Sequence, residues 1–126
     1  MTTKNIGDIG ENAAAKYLKR RFFRIVERNY RFHRDEIDII AKNRKFLVFV
    51  EVKTRSRNDV NDNDFGTPSS AVDAGKMSRT KKAAVGYLAE HPENKRAIRF
   101  DVIEVYLDKN SEKPKIIDIN HIENAF

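Results

Sequence analysis

The apolar positions of this chain change period along its length, and those changes divide it into elements. Between residues 5 and 23, Ile9, Ala13 and Tyr17, with Ala14, Leu18 and Phe22 beside them, recur at helical spacing and predict a helix with one buried face. Lys16, Lys19, Arg20 and Arg21 fall largely elsewhere, and Asn5 or Asp8 suits the N-terminal cap. Three strand-like runs follow at 24–32, 36–42 and 45–54. A second helix is predicted over 72–91, stopped by Pro92, with Met77, Ala84 and Leu88 inward and Lys76, Arg79 and Lys82 on a basic outer flank. Runs at 96–107, alternating through Ile98, Phe100 and Val102, and at 115–122 complete the order α-β-β-β-α-β-β.

One of these runs breaks its own pattern. Phe46-Leu47-Val48-Phe49-Val50-Glu51-Val52-Lys53 reads as a buried strand with a carboxylate and an ammonium set into it. An unpaired ion moved out of water costs several kcal/mol, roughly, even after relaxation, so Glu51 and Lys53 need partners. Asp38 lies in the preceding apolar run, Glu36-Ile37-Asp38-Ile39-Ile40. A tight turn at Asn43-Arg44, with Asn at positive φ, pairs Lys42 with Lys45; Asp38 then faces Phe49 and lies diagonal to Glu51 on the same sheet face. Lys53 shares that face by period two, whereas a one-residue slip would scatter the three groups.

Composition narrows what such a site can hold. The 126 residues fit one domain, 1–126. The absence of cysteine excludes thiolate metal sites and cysteine nucleophiles, and His33, His91 and His121 are isolated, so a bound metal would use mainly oxygen ligands. No apolar run of about 18 residues is present, and the first residues lack the apolar core of a secretory signal, so a cytoplasmic protein without a membrane partner is expected. Residues 1–57 carry 15 Lys and Arg against 7 Asp and Glu, while residues 58–126 carry 10 against 12; the half with the unusual strand is the basic half. A cationic surface around an acidic cluster suits a polyanion that must reach a metal, and Arg31, Arg34, Arg55, Arg57, Lys76, Arg79 and Lys82 are the candidate phosphate contacts. Residues 55–70 are polar, with Gly66 and Pro68, and are expected to form a mobile loop near substrate.

Asp38 and Glu51 together match the hard-oxygen demand of Mg²⁺ or Mn²⁺, and Lys53 suits holding the attacking water and offsetting charge on the phosphate. Glu11, on the border of the first helix's buried stripe, is either a carboxylate favoured by the helix dipole or an extra metal or water ligand. The competing reading makes Asp38, Glu51 and Lys53 an inert ion-paired strand.

Gly10-Glu11, Ala14, Tyr17-Leu18, Asn29-Tyr30-Arg31, Glu36-Ile37-Asp38-Ile39-Ile40, Phe49-Val50-Glu51-Val52-Lys53-Thr54-Arg55, Arg99-Phe100-Asp101-Val102 and His121-Ile122-Glu123-Asn124-Ala125-Phe126 together resemble the YraN family of small bacterial proteins over nearly the whole chain. That family is similar in turn to the restriction-endonuclease-like, PD-(D/E)XK, superfamily, with archaeal Holliday junction resolvases among the closer-looking relatives. The resemblance implies an α/β fold with a mixed central sheet flanked by helices. It also implies an active-site set of Glu11, Asp38, Glu51 and Lys53, Mg²⁺ or Mn²⁺ as cofactor, and metal-dependent cleavage of DNA, including branched DNA. A two-fold dimer would suit a nuclease that cuts both strands. The alternative is a non-catalytic nucleic-acid-binding module on the same fold. Two positions depart from the family pattern: Asp35 and Phe22-Phe23 stand where Gly is usual.

Overall fold

The computed structural model describes residues 3–56, 74–108 and 114–126. They form helix α1 (Thr3–Arg20), strands β1 (Arg24–Phe32), β2 (Asp35–Lys42) and β3 (Phe46–Ser56), helix α2 (Ala74–Glu90), and strands β4 (Ala97–Asp108) and β5 (Lys115–Ile122). The strands make one sheet in the order β1-β2-β3-β4-β5. All neighbours are antiparallel except β3 and β4, the parallel pair between which α2 falls in the chain. The expected α/β order and mixed sheet are therefore present.

The two helices cover opposite faces of the sheet. Ala13, Ala14, Ala15 and Leu18 of α1 pack on Ile39, Ala41, Val48, Val50, Ile103 and Val105, while Ala83, Ala84 and Tyr87 of α2 pack on Ile37, Ile40, Leu47 and Phe49. Because β3 is buried on both faces, it reads as a continuous apolar run rather than an alternating one. Among the described residues no helix is long and apolar enough to cross a membrane.

Several expectations need correction. The first helix ends at Arg20, and Phe22, expected on its buried face, is 90% exposed at φ 70°. The Phe23 N–H reaches the Leu18 carbonyl at 3.0 Å and the Phe22 N–H reaches that of Lys19 at 3.1 Å, the paired bonds of a Schellman cap. Phe22 occupies the left-handed position where glycine is favoured, so the helix turns off before Phe22 can join its apolar face.

The β2–β3 turn also differs. The Asn43 side-chain oxygen accepts the N–H groups of Lys45 and Phe46 at 3.0 and 2.8 Å, so the loop closes between Asn43 and Phe46 without positive φ at Asn43. Lys42 therefore pairs with Leu47, not Lys45, and Phe49 with Ile40, not Asp38. The register moves by two residues. Parity survives, and the same register continued places Asp38 opposite Glu51 rather than diagonal to it.

On α2, Thr80, Ala83, Ala84 and Tyr87 are buried, whereas Met77 and Leu88, expected inward, are half-buried. Lys76 is not on the outer flank but turned toward Glu51. Arg55 and Ser56, expected to open the long loop, belong to β3; the rest of 55–70, with Arg57, lies outside the described residues, as do Val72 and Asp73.

Candidate metal and nucleic-acid site

The site begins where two paired strands part. The β2–β3 ladder ends at Ile39 and Val50, although β3 continues to Ser56 beside β4. Past that point the Asp38 carboxylate replaces the missing ladder partner: its Oδ2 accepts the Val52 N–H at 2.8 Å. Burial, followed by the charge of Glu51, raises Asp38 to about pKa 7, and the bond from Val52 opposes the shift only in part. Two carboxylates thus face one another at a partly dry strand fork.

Glu51 is the more enclosed of the pair. Its Oε1 lies 3.2 Å from the Lys76 Nζ, and its Oε2 is buried with no hydrogen-bond partner among the described residues. That sealed oxygen is left to a proton shared with Asp38 or to a cation. Lys53, two residues farther on β3 and half-buried, makes no ion pair with a described residue, so the cation on Glu51 is Lys76, a neighbour from another element.

Asp38 also borders an open cleft of about 280 Å³, lined by Gly7, Asp8, Glu11, Asn29, Glu36, Asp38, Val52 and Thr54. Glu11 is therefore near the fork, but its Oε1 is engaged by the Arg28 guanidinium, with contacts of 2.9 and 3.0 Å, and by the Asn29 amide at 3.1 Å. Asn29 adopts φ 52° within β1, a left-handed backbone that Asn tolerates better than most residues. Asp8, read from sequence only as a cap candidate, and Glu36, read only as part of the Asp38 run, also line the cleft, because α1 and the β1–β2 hairpin bring them together in the fold.

Among the described residues no three Asp, Glu or His side chains gather closely enough to hold a metal by themselves. Asp38 and Glu51 converge, while Glu11 lines the cleft without completing a three-residue cluster. Two oxygen donors and the unpaired Glu51 Oε2 fit a hard cation that keeps several waters.

The basic candidates separate by environment. Arg34, Arg79 and Lys82 are exposed, and Arg31 is exposed with a 3.5 Å contact to Glu36. Arg55 instead pairs at 3.1 Å with the buried Glu104, whose other oxygen accepts the Asn120 amide.

The model of an uncharacterised protein family, UPF0102, matches residues 10–105. The chain belongs to UPF0102. A UPF0102 protein of Alkaliphilus oremlandii is 46% identical over 98% of this chain and 98% of its own length, and one of Caldanaerobacter subterraneus is 45% identical over 98% and 95%. One of Dictyoglomus thermophilum is 40% identical over the full length of both. The YraN resemblance read from the residues points to this same UPF0102 family. Glu11, Asp38, Glu51 and Lys53 all fall within the span matched by the UPF0102 model.

Two of the segments that carried the resemblance prove to be partners in this UPF0102 chain. Asp101 on β4, fully buried, takes two bonds from the Arg99 guanidinium at 2.9 and 2.8 Å, one from the Asn124 N–H at 2.9 Å, and the His121 Nε2 at 2.6 Å. His121 Nδ1 lies 3.2 Å from the Tyr17 hydroxyl, linking β5 to α1. Burial alone would raise Asp101, but the bonds from His121, Arg99 and Asn124 outweigh it and hold the carboxyl below its ordinary range. Sequence reading passed over this network because its members are brought together by the β4–β5 pairing, not by spacing.

Proposed function

We propose that this UPF0102 protein is a metal-dependent nuclease that hydrolyses phosphodiester bonds in DNA, with branched DNA among its candidate substrates. The observation that carries the reading is the pairing of half-buried Asp38 with buried Glu51 at the parting of β2 and β3, with one Glu51 oxygen taking no N–H or hydroxyl donor among the described residues. Proteins do not keep two carboxylates together in a dry fork without a compensating proton or cation. The α-β-β-β-α-β-β order and the Asp, Glu-x-Lys residues match the restriction-endonuclease-like pattern that the sequence resembles. Asp38 and Glu51 would hold a Mg²⁺ or Mn²⁺ ion, whose chemistry is to polarise the phosphate and lower the pKa of a bound water. Lys53, on the strand that carries Glu51, is the residue for holding that water, and Glu11 would act from the cleft wall. Exposed Arg31, Arg34, Arg79 and Lys82 supply phosphate contacts.

A second reading has its own observation. Glu11 is engaged by Arg28 and Asn29, and no three-residue ligand cluster forms among the described residues, which favours a nucleic-acid-binding module that does not cut. The two separate on a panel of duplex, single-stranded, flap and four-way DNA, each with Mg²⁺, Mn²⁺ or EDTA. Cleavage that needs the metal and disappears in Asp38→Asn and Glu51→Gln supports the nuclease. Retarded but intact substrates throughout support the binding module.

A further inference from the structure

We propose that Lys76 is the built-in counter-ion of the acid pair and gives way to the divalent cation, which takes its place on Glu51. The inference rests on the metal-site reading above. Lys76 Nζ lies 3.2 Å from Glu51 Oε1, and the two ends of the pair differ in access: the Glu51 side chain is 5% exposed and that of Lys76 33%. The carboxylate is therefore fixed inside the fork while the ammonium approaches it from the open side. A lysine is a point charge on a flexible stem, suited to moving between partners, where a bidentate arginine would lock the carboxylate in place.

Charge decides which state holds. With two carboxylates and one ammonium, the fork carries no excess of positive charge. A divalent ion on the same oxygens reverses that balance, and an ammonium left a few ångströms away is then repelled in a medium much less polar than water. The buried, unpaired Glu51 Oε2 gives the incoming ion a donor that Lys76 does not use.

The test reads the lysine itself. Trace acetylation of the folded protein, followed by peptide mass spectrometry, compares Lys76 with the exposed Lys81 at increasing Mn²⁺. Lys76 should label several-fold faster once Mn²⁺ saturates than without metal, relative to Lys81 in the same sample, while in Glu51→Gln its rate should not respond to Mn²⁺. In calorimetric titration, Lys76→Met should bind Mn²⁺ about tenfold more tightly than the parent, a modest coupling between competing ions. Parent protein that binds Mn²⁺ with Lys76 labelling unchanged, and with equal affinity in Lys76→Met, would overturn the exchange and leave the metal site standing. Failure of parent, Lys76→Met and Glu51→Gln alike to bind Mn²⁺ would remove the site reading and the exchange with it. The labelling arm uses the parent chain, so it decides the matter even if Lys76→Met does not fold.

Discussion

Asp38 Oδ2 accepts the Val52 N–H at 2.8 Å, so that a side chain takes the place of the strand neighbour that β3 loses beyond Val50. This bond holds a carboxylate at the fork even though Glu51 repels it. Asp38 is in consequence a residue through which pH acts on the fold between about pH 4 and 7.

The sign follows from its raised pKa. In the unfolded chain Asp38 titrates near 3.8 and in the folded protein near 7, so between these values the folded state holds the extra proton. Stability from this group is greatest at low pH, falls as pH rises from about 4 toward 7, and is flat above. Melting temperature should drop between pH 5 and pH 8 in the parent, and Asp38→Asn should flatten that part of the curve. Mn²⁺ should raise the melting temperature more at pH 8 than at pH 5. An unchanged profile in Asp38→Asn would place the titration elsewhere.

Asp101 receives four hydrogen bonds, two of them from Arg99. Asp101→Ala leaves a nearly buried guanidinium with only the 3.9 Å contact to exposed Glu123, and urea unfolding should show a loss of about 3 kcal/mol or more. His121→Ala removes one bond to Asp101 and the link to Tyr17, and should lose only about 1 to 2 kcal/mol. Equal losses in the two variants would mean that His121, not Arg99, is the main support of the carboxylate.

Much of this architecture is local enough to read from residues. The spans of β1 and β5 match those read from sequence, and Ala13, Ala14 and Leu18 do form the buried stripe of α1. The acid pair was legible because a strand buried on both faces shows its charges plainly, and because a two-residue register shift keeps parity. That shift itself was not legible, since it depends on the Asn43 side chain accepting two backbone N–H groups where a positive φ was expected. Lys76 and the Asp101–His121 pair were hidden for a different reason. Their partners are fixed by which helix crosses which strand, and spacing carries no record of that.

Phe22 offers a direct test of the α1 cap. It holds φ 70° with its ring almost wholly in solvent, so replacing it loses little packing. Phe22→Gly should relieve the left-handed backbone and raise unfolding free energy by about 1 kcal/mol. Phe22→Ala keeps the Cβ and should not reproduce that gain. Equal urea midpoints for the Gly and Ala variants would show that the cap is unstrained.

The basic residues should divide into surface contacts and structural partners. Arg34, Arg79 and Lys82 are exposed, and substituting each by Ala should leave the urea midpoint unchanged. If each meets a phosphate, the slope of log affinity against log salt for DNA binding should fall by about 1 per residue. Arg55 lies in the opposite class, because its partner Glu104 is buried and loses a guanidinium when Arg55 is truncated. Arg55→Ala should therefore destabilise the fold by about 2 kcal/mol, since removing one side of a buried pair exposes the cost of the other. Its salt slope should match the parent's at temperatures where both are folded. An Arg55→Ala protein of normal stability with a reduced salt slope would instead make Arg55 a phosphate contact and Glu104 its resting place between encounters.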